Sequence, residues 1–402
     1  MAYDLLITNA HTRKGNGELL SIGIQDGRIA ALAPSLPHEA TQVIDACGGL
    51  VTESFVNGHL HLCKVYTLEM AGQAALGEYH HGGMGGAMTA IERAADFKAA
   101  YNEGWILPNV RRACELALRY GNTHIRAFAD VDSKARLEGI KALLKAREEF
   151  EGRVELQVVA FPQDGVMREP EAEGYVIQAL EMGADVVGGI PWIEFTKADE
   201  QRHIDRMFDL AVKYNKDVSM LLDDVGDAGE KTLEMFALRA HKEGWQGRVT
   251  AQHCRAMALY GENYFRKLVT LLKRAGIGLV ADPHTGPLHA RVRDLAAAGI
   301  PVALGQDDIA DAYYPFGRCN MIEVAFLASH LMWMTSFADM ELLYDMITTS
   351  AAKVLGIRGH VLEVGGNADL VVLEAPDVYH AIWEHRAPLH VIRNGREVTL
   401  PR

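Results

Sequence analysis

Cysteine is scarce in this chain of 402 residues: Cys47, Cys63, Cys114, Cys254 and Cys319 are odd in number and scattered. Such a set supplies neither a disulfide framework nor a CxxC metal pattern, and it points to a reducing, cytoplasmic setting. Positive charge is also short, with 40 Lys and Arg against 53 Asp and Glu and a net charge of −13. That balance argues against a nucleic-acid partner read by a basic stripe and against an anionic membrane surface. No apolar run reaches the ~18 residues of a spanning helix. The opening MAYDLLITNAHTRKGNGELL lacks the charged start and apolar core of a signal peptide. General disorder is excluded by 49% hydrophobic and 23% charged residues. The length suits one large domain with a smaller appendage, or two to three ordinary ones.

The two ends are written in one style and the middle in another. Residues 1–50 alternate short β-type runs with turns, as in DLLITNA, IGIQDGRIAAL and TQVIDACGGLV, and NADLVVLEA and LHVIRNGREVTL repeat that style near the end. Neither end alone offers enough strands to bury a face, so the two are expected to build one small β-sandwich, from 1–52 and 360–402. Between them, over 53–359, apolar runs alternate with longer helical stretches. The runs are 50–60, 123–129, 154–161, 184–190, 217–222, 248–253, 277–282 and 300–305. Eight strand–helix units joined by right-handed crossovers fit an α/β fold, the (β/α)8 TIM barrel. A doubly wound sheet would want a phosphate-binding glycine turn after an early strand, and GGMGGAM at 82–88 follows none.

In such a barrel the chemistry gathers where the strands end. Those ends read His59-Leu60-His61, Asp130, Gln163, Glu194, Asp223-Asp224, His253 and Asp307-Asp308. Alternate residues of a strand share a face, so His59 and His61 turn two imidazoles to one side, a partial shell for a transition metal. A hydrogen-bonded histidine pair is the plainer alternative. Asp307 suits a metal ligand or a proton acceptor from activated water, and an N-cap otherwise. Asp308 beside it suits substrate or the cap. His253 suits charge stabilisation, proton transfer or ligation, against a satisfied core histidine. Gln163 offers a donor and an acceptor to an amide-like ring edge, or organises its own loop. Glu194 is either a hydrogen-bonding pocket wall or an ion-pair partner.

Six ordered segments, VTESFVNGHLHL, VVAFPQDG, GADVVGGIPWIEFT, GRVTAQHCRAM, LGQDDIADAYYPFG and GNADLVVL, carry a resemblance to a known group. The chain resembles the cytosine deaminase branch of the amidohydrolase superfamily, and also its N-isopropylammelide isopropyl amidohydrolase relatives. The resemblance implies a TIM barrel with a sandwich from both termini, one divalent metal (Zn or Fe), and hydrolytic removal of an amine from a nitrogen heterocycle. By motif position His59, His61 and Asp307 match metal ligands, and His253 matches the histidine near the attacking water. Gln163 matches the residue that reads the ring, Asp308 a group near the substrate, and Tyr313 stands where cytosine deaminase has a tryptophan. A homo-oligomer acting on a small heterocyclic molecule is the implied assembly.

Departures at three strand ends accompany these matches. Leu221 occupies the position of a fifth-strand histidine ligand, and Asp224 replaces the usual glutamate proton shuttle. Thr-His-Val-Asp on the second strand becomes Ala127-Phe128-Ala129-Asp130, and the Asp after the paired histidines becomes Cys63. Three readings follow: a metal held by His59, His61 and Asp307 with His253, Asp223 or Asp224 filling the gap; a metal-free acid/base site; or a binding-only relative. Cys63 is either a soft ligand or an inert small hydrophobe. In the metal reading Asp307 and Asp224 move the water proton and His253 stabilises the oxyanion. The glycine-rich stretch 72–94, with His80 and His81, is expected to form a lid.

Overall fold

The protein was analysed as a computed structural model that describes residues 3–71 and 98–399. The expected lid at 72–94 lies outside these residues. Strands run β1 (Tyr3–Ala10), β2 (Leu20–Gln25), β3 (Arg28–Ala33), β4 (Ala40–Asp45), β5 (Leu50–Glu53) and β6 (Phe55–Leu60). They continue with β7 (Asn122–Asp130), β8 (Glu155–Phe161), β9 (Val186–Gly189), β10 (Asp217–Leu222), β11 (Val249–His253), β12 (Gly278–Ala281) and β13 (Val302–Leu304). The last three are β14 (Leu370–Leu373), β15 (His390–Arg393) and β16 (Arg396–Glu397).

Strands β6 to β13 pair in sequence order, every neighbour parallel. The cylinder is closed by a parallel bridge between Leu60 and Asp307. There the His59 carbonyl accepts from Asp307 N at 2.9 Å, and His61 N donates to the Asp307 carbonyl at 2.8 Å. The seam is therefore made by the residues flagged as metal ligands. Glycine is required where the walls crowd it: a Cβ on Gly305 would stand 2.7 Å from the His59 Cβ and closer still to Asp282. The outer helices turn apolar stripes inward. In Glu262–Ala275, for example, Phe265, Leu268, Leu272 and Ala275 are buried, and Gly276 ends the helix at φ 60°.

The barrel strands fall where the sequence pattern puts them, except that 50–60 is two strands. Residues of β5 leave the barrel and pair antiparallel with β14, Val51 opposite Val372. The termini thus form two sheets, β3-β2-β1-β4 and β16-β15-β14-β5, the first containing the parallel pair β1–β4. Leu5, Ile7, Ile22 and Ile44 of the first pack with Val51, Leu370, Val372 and Ile392 of the second in one apolar core. Among the described residues no helix is long and apolar enough to cross a membrane.

Candidate active site

The floor of the barrel mouth is set by β6 and β13. Asn57 Oδ1 accepts from His59 N at 3.2 Å and from Gln306 N at 3.0 Å, locking the two chain segments together. The His59 Nε2 then lies 3.1 Å from Asp307 Oδ1, and the His61 Nε2 lies 3.6 Å from the same oxygen. Two ligand atoms held about 2.1 Å from a tetrahedral ion stand about 3.4 Å apart. The observed separations bracket that value, and neither His59 nitrogen has a hydrogen-bond partner although both are buried. The donor set of His59, His61 and Asp307 therefore fits a divalent metal. Burial, reinforced by Lys64 and His59, holds the His61 pKa well below its ordinary value, so its lone pair is available.

His253 closes β11 with its Nε2 3.9 Å from Asp307 Oδ1. Burial and the nearby Arg255 push its pKa down, leaving a neutral ring. Its Nδ1 faces Asp282 at 3.3 Å. Burial tends to raise the Asp307 carboxyl, but the three imidazoles outweigh it and hold the pKa well below the usual range. His253 (φ 63°), Cys254 (φ 52°) and Asp307 (φ 61°) all occupy the left-handed backbone region. For residues with a Cβ this costs about 1 kcal/mol or more each, strain that the surrounding structure must hold.

The two acids after β10 separate. Asp223 is consumed by structure: its Oδ1 accepts from Thr232 Oγ1 and Leu233 N, both at 2.9 Å, and its Oδ2 accepts from the Tyr260 hydroxyl. Asp224 lines the cavity and accepts from Arg255 Nη1 at 2.6 Å. Burial, helped by Asp307 and opposed by Arg255, pushes its pKa up to about 7. Leu221, buried at the ligand position, also lines the cavity. Cys63 does not line it. Its thiol accepts from Asp130 N at 3.4 Å, and burial drives its pKa up, which leaves it inert.

The cavity encloses about 440 Å³, open mouth included. Gln163, Asp308 and Tyr313 all face it. The Gln163 carbonyl oxygen accepts from Lys64 Nζ at 2.9 Å, and its amide donates toward the Tyr313 hydroxyl at 3.4 Å. With Oε1 engaged by a cation, Gln163 presents N–H to the cavity. Lys64 is buried, packs 4.7 Å over the Tyr313 ring, and keeps its charge because Asp130, Asp308 and Asp311 outweigh the cost of burial. Burial and the neighbours Asp307 and Asp311 raise the Asp308 pKa well above normal. Ile190, Trp192 and Leu221 form the opposite, apolar wall.

Glu194 departs from the pocket-wall expectation. Its oxygens accept from Val166 N at 2.8 Å, Met167 N at 3.1 Å and Arg168 N at 2.9 Å, and lie 2.7 Å from His203 Nδ1. It shapes the loop that follows Gln163 and does not line the cavity. Asp130 likewise turns to the Tyr101 hydroxyl at 3.1 Å. Sequence reasoning missed Lys64, Arg255, Thr285 and Asp282. Asp282 carries the signal that found the others, since it directly follows β12. Lys64 and Arg255 lie in the turns just past the strand ends, where no periodicity marks them.

The amidohydrolase family model matches residues 42–399 of the chain. The N-isopropylammelide isopropyl amidohydrolase of Pseudomonas sp. (strain ADP) is 30% identical over 98% of this chain and 96% of its own length. A pterin deaminase of Rhizobium rhizogenes is 27% identical over 94% and 87%. Among solved structures, 5-methylcytosine deaminase from Klebsiella pneumoniae with 5-fluorocytosine superposes with a TM-score of 0.89 at 29% identity, covering 99% and 98% of the two chains.

Proposed function

The chain belongs to the amidohydrolase family, and from that premise we propose that it hydrolyses a C–N bond of a small nitrogen heterocycle, releasing an amine or ammonia from an aminated ring. The observation that carries the reading is the convergence of His59 Nε2, His61 Nε2 and Asp307 Oδ1 beneath a cavity with one hydrogen-bonding wall and one apolar wall. Relatives named for isopropylammelide, pterin and 5-methylcytosine support the substrate class.

His59, His61 and Asp307 would hold one divalent metal, zinc or iron, which supplies Lewis acidity and makes hydroxide accessible near neutral pH. Asp224 accepts the proton of the attacking water and returns it to the departing nitrogen, a task suited to a pKa of about 7. Asp307 shares the first transfer. His253, neutral and beside Asp307, stabilises the negative charge that develops on oxygen. Gln163 and Lys64 meet acceptor atoms on the ring edge, Asp308 meets a donor, and Tyr313 and Trp192 flank the ring faces. The bond balance is simple: water adds to the ring carbon, the C–N bond breaks, and the nitrogen leaves with the transferred proton. The reading includes a homo-oligomer, which light scattering of the purified protein tests.

The test is ammonia or amine release from a panel of aminated pyrimidines, purines, pterins and triazines, read with metal analysis of the same protein. The expected result is turnover that follows metal content and disappears in His59→Ala. Neither metal uptake nor turnover of any panel member, with zinc, iron or manganese in excess, would end the reading.

A further inference from the structure

The centre already contains a fixed cation. Arg255 stands two residues past His253, in the turn after β11, and its guanidinium reaches back to the floor of the mouth. Nη1 donates to Asp224 Oδ1 at 2.6 Å. Nη2 donates to the Thr285 hydroxyl, which in turn donates to Asp307 Oδ2 at 2.7 Å. Nη2 itself lies 3.6 Å from Asp307 Oδ2. Asp307 therefore has two faces: Oδ1 meets the imidazoles of His59 and His61, and Oδ2 meets Thr285 and Arg255. The sides are unequal in satisfaction. Both His59 nitrogens lack hydrogen-bond partners, while Oδ2 accepts from Thr285.

A guanidinium cannot discharge itself under physiological conditions, so this positive charge is permanent. It draws on Asp307, the only anionic donor of the metal triangle, and it pairs with Asp224, an acid of the cavity wall. In a buried site such repulsion is weakly screened. Leu221 adds to the effect by leaving β10 without a donor. Resting on the metal-centre reading above, we propose that Arg255 sets the metal affinity of this centre, holding the Asp307–Asp224 carboxylate pair so that the divalent ion binds weakly and exchangeably. Occupancy would then follow the supply of free metal instead of being fixed at folding.

The test is zinc binding to chelator-stripped protein, by competition against a chromophoric chelator. Arg255→Gln should bind zinc at least tenfold more tightly than the unmodified chain, and Leu221→His likewise. The double variant should exceed either. Arg255→Lys, which keeps the charge, should stay within about threefold of the starting affinity. Arg255→Gln leaves a buried acid without its partner, so the charge-balanced pair Asp224→Asn/Arg255→Gln is compared with Asp224→Asn alone, again expecting at least tenfold. Arg255→Gln binding no tighter than the unmodified chain, while Leu221→His does, overturns the role of Arg255 and spares the metal centre. No zinc binding even in Leu221→His/Arg255→Gln overturns both together.

Discussion

The barrel mouth divides into two contiguous halves. Strands β11, β12, β13 and β6 end in His253, Asp282, Asp307 and the His59–His61 pair, and these groups face one another. Strands β7 to β10 contribute Phe128, Phe161, Ile190, Trp192 and Leu221, which pack as one apolar cluster with Tyr313. The halves touch at the imidazoles: the Phe128 ring centroid lies 4.1 Å from that of His59, and the Phe161 centroid 5.4 Å from that of His61. The imidazoles and Asp307 thus come from one set of strands and the large apolar side chains from the other, while Asp224, after β10, and Lys64, after β6, reach the same cavity across that boundary. Leu221 shows what a single residue does to that boundary. A histidine there would extend the reacting half to a fifth strand; leucine assigns β10 to the packing half.

The largest expected effect tests the reacting half. Asp307→Asn removes the anionic donor shared by both imidazoles, and kcat/KM should fall at least ~10³-fold, about 4 kcal/mol of barrier, in the amine-release assay. Retention of a tenth of the activity would show that the reacting half does not depend on this carboxylate. The second test divides one strand. Leu222 is fully buried in the main core, whereas Leu221 lines the cavity. Leu222→Ala should cost about 3 kcal/mol in urea unfolding and Leu221→Ala about 1 kcal/mol; equal losses would erase the distinction between the two faces of β10.

The acids after β10 give a test with a defined sign. Burial raises the Asp223 pKa to about 6 despite three hydrogen bonds. The unfolded chain titrates nearer ~3.9, so between these values the folded state binds more protons. Its contribution must therefore be greatest below pH ~4 and must decline as pH rises through about 6, by no more than about 3 kcal/mol. Asp223→Asn should flatten that part of the curve of unfolding free energy against pH; an unchanged slope would assign the dependence elsewhere. The smallest effect tests the apolar half. Trp192→Ala should raise KM with little change in kcat, at about 2 kcal/mol. A loss confined to kcat would give Trp192 a place in the reaction itself.

The arrangement of strands was readable because apolar runs of four to eight residues recur between helical stretches, and the strand-end rule then singled out His59, His61, His253 and Asp307. What escaped was direction and competition. Glu194 and Asp224 both follow strands, yet Glu194 is captured by three backbone N–H groups within reach of its longer side chain, while Asp224 is drawn into the cavity by Arg255. Nothing in the spacing of either residue records which donors stand nearby in space. The β5–β6 division was hidden for a related reason: Leu50–Glu53 and Phe55–Leu60 run on as one extended stretch with no glycine or proline turn between them, and only the distant β14 assigns the first half to another sheet.

The left-handed backbone at His253, Cys254 and Asp307 has an evolutionary corollary. Glycine would occupy each of these positions without torsional cost. Replacing the histidine or the aspartate by glycine would relieve backbone strain while removing a side chain of the candidate site, so stability and activity pull in opposite directions there. Variant libraries bred for durability alone should tolerate glycine at these positions at the expense of turnover.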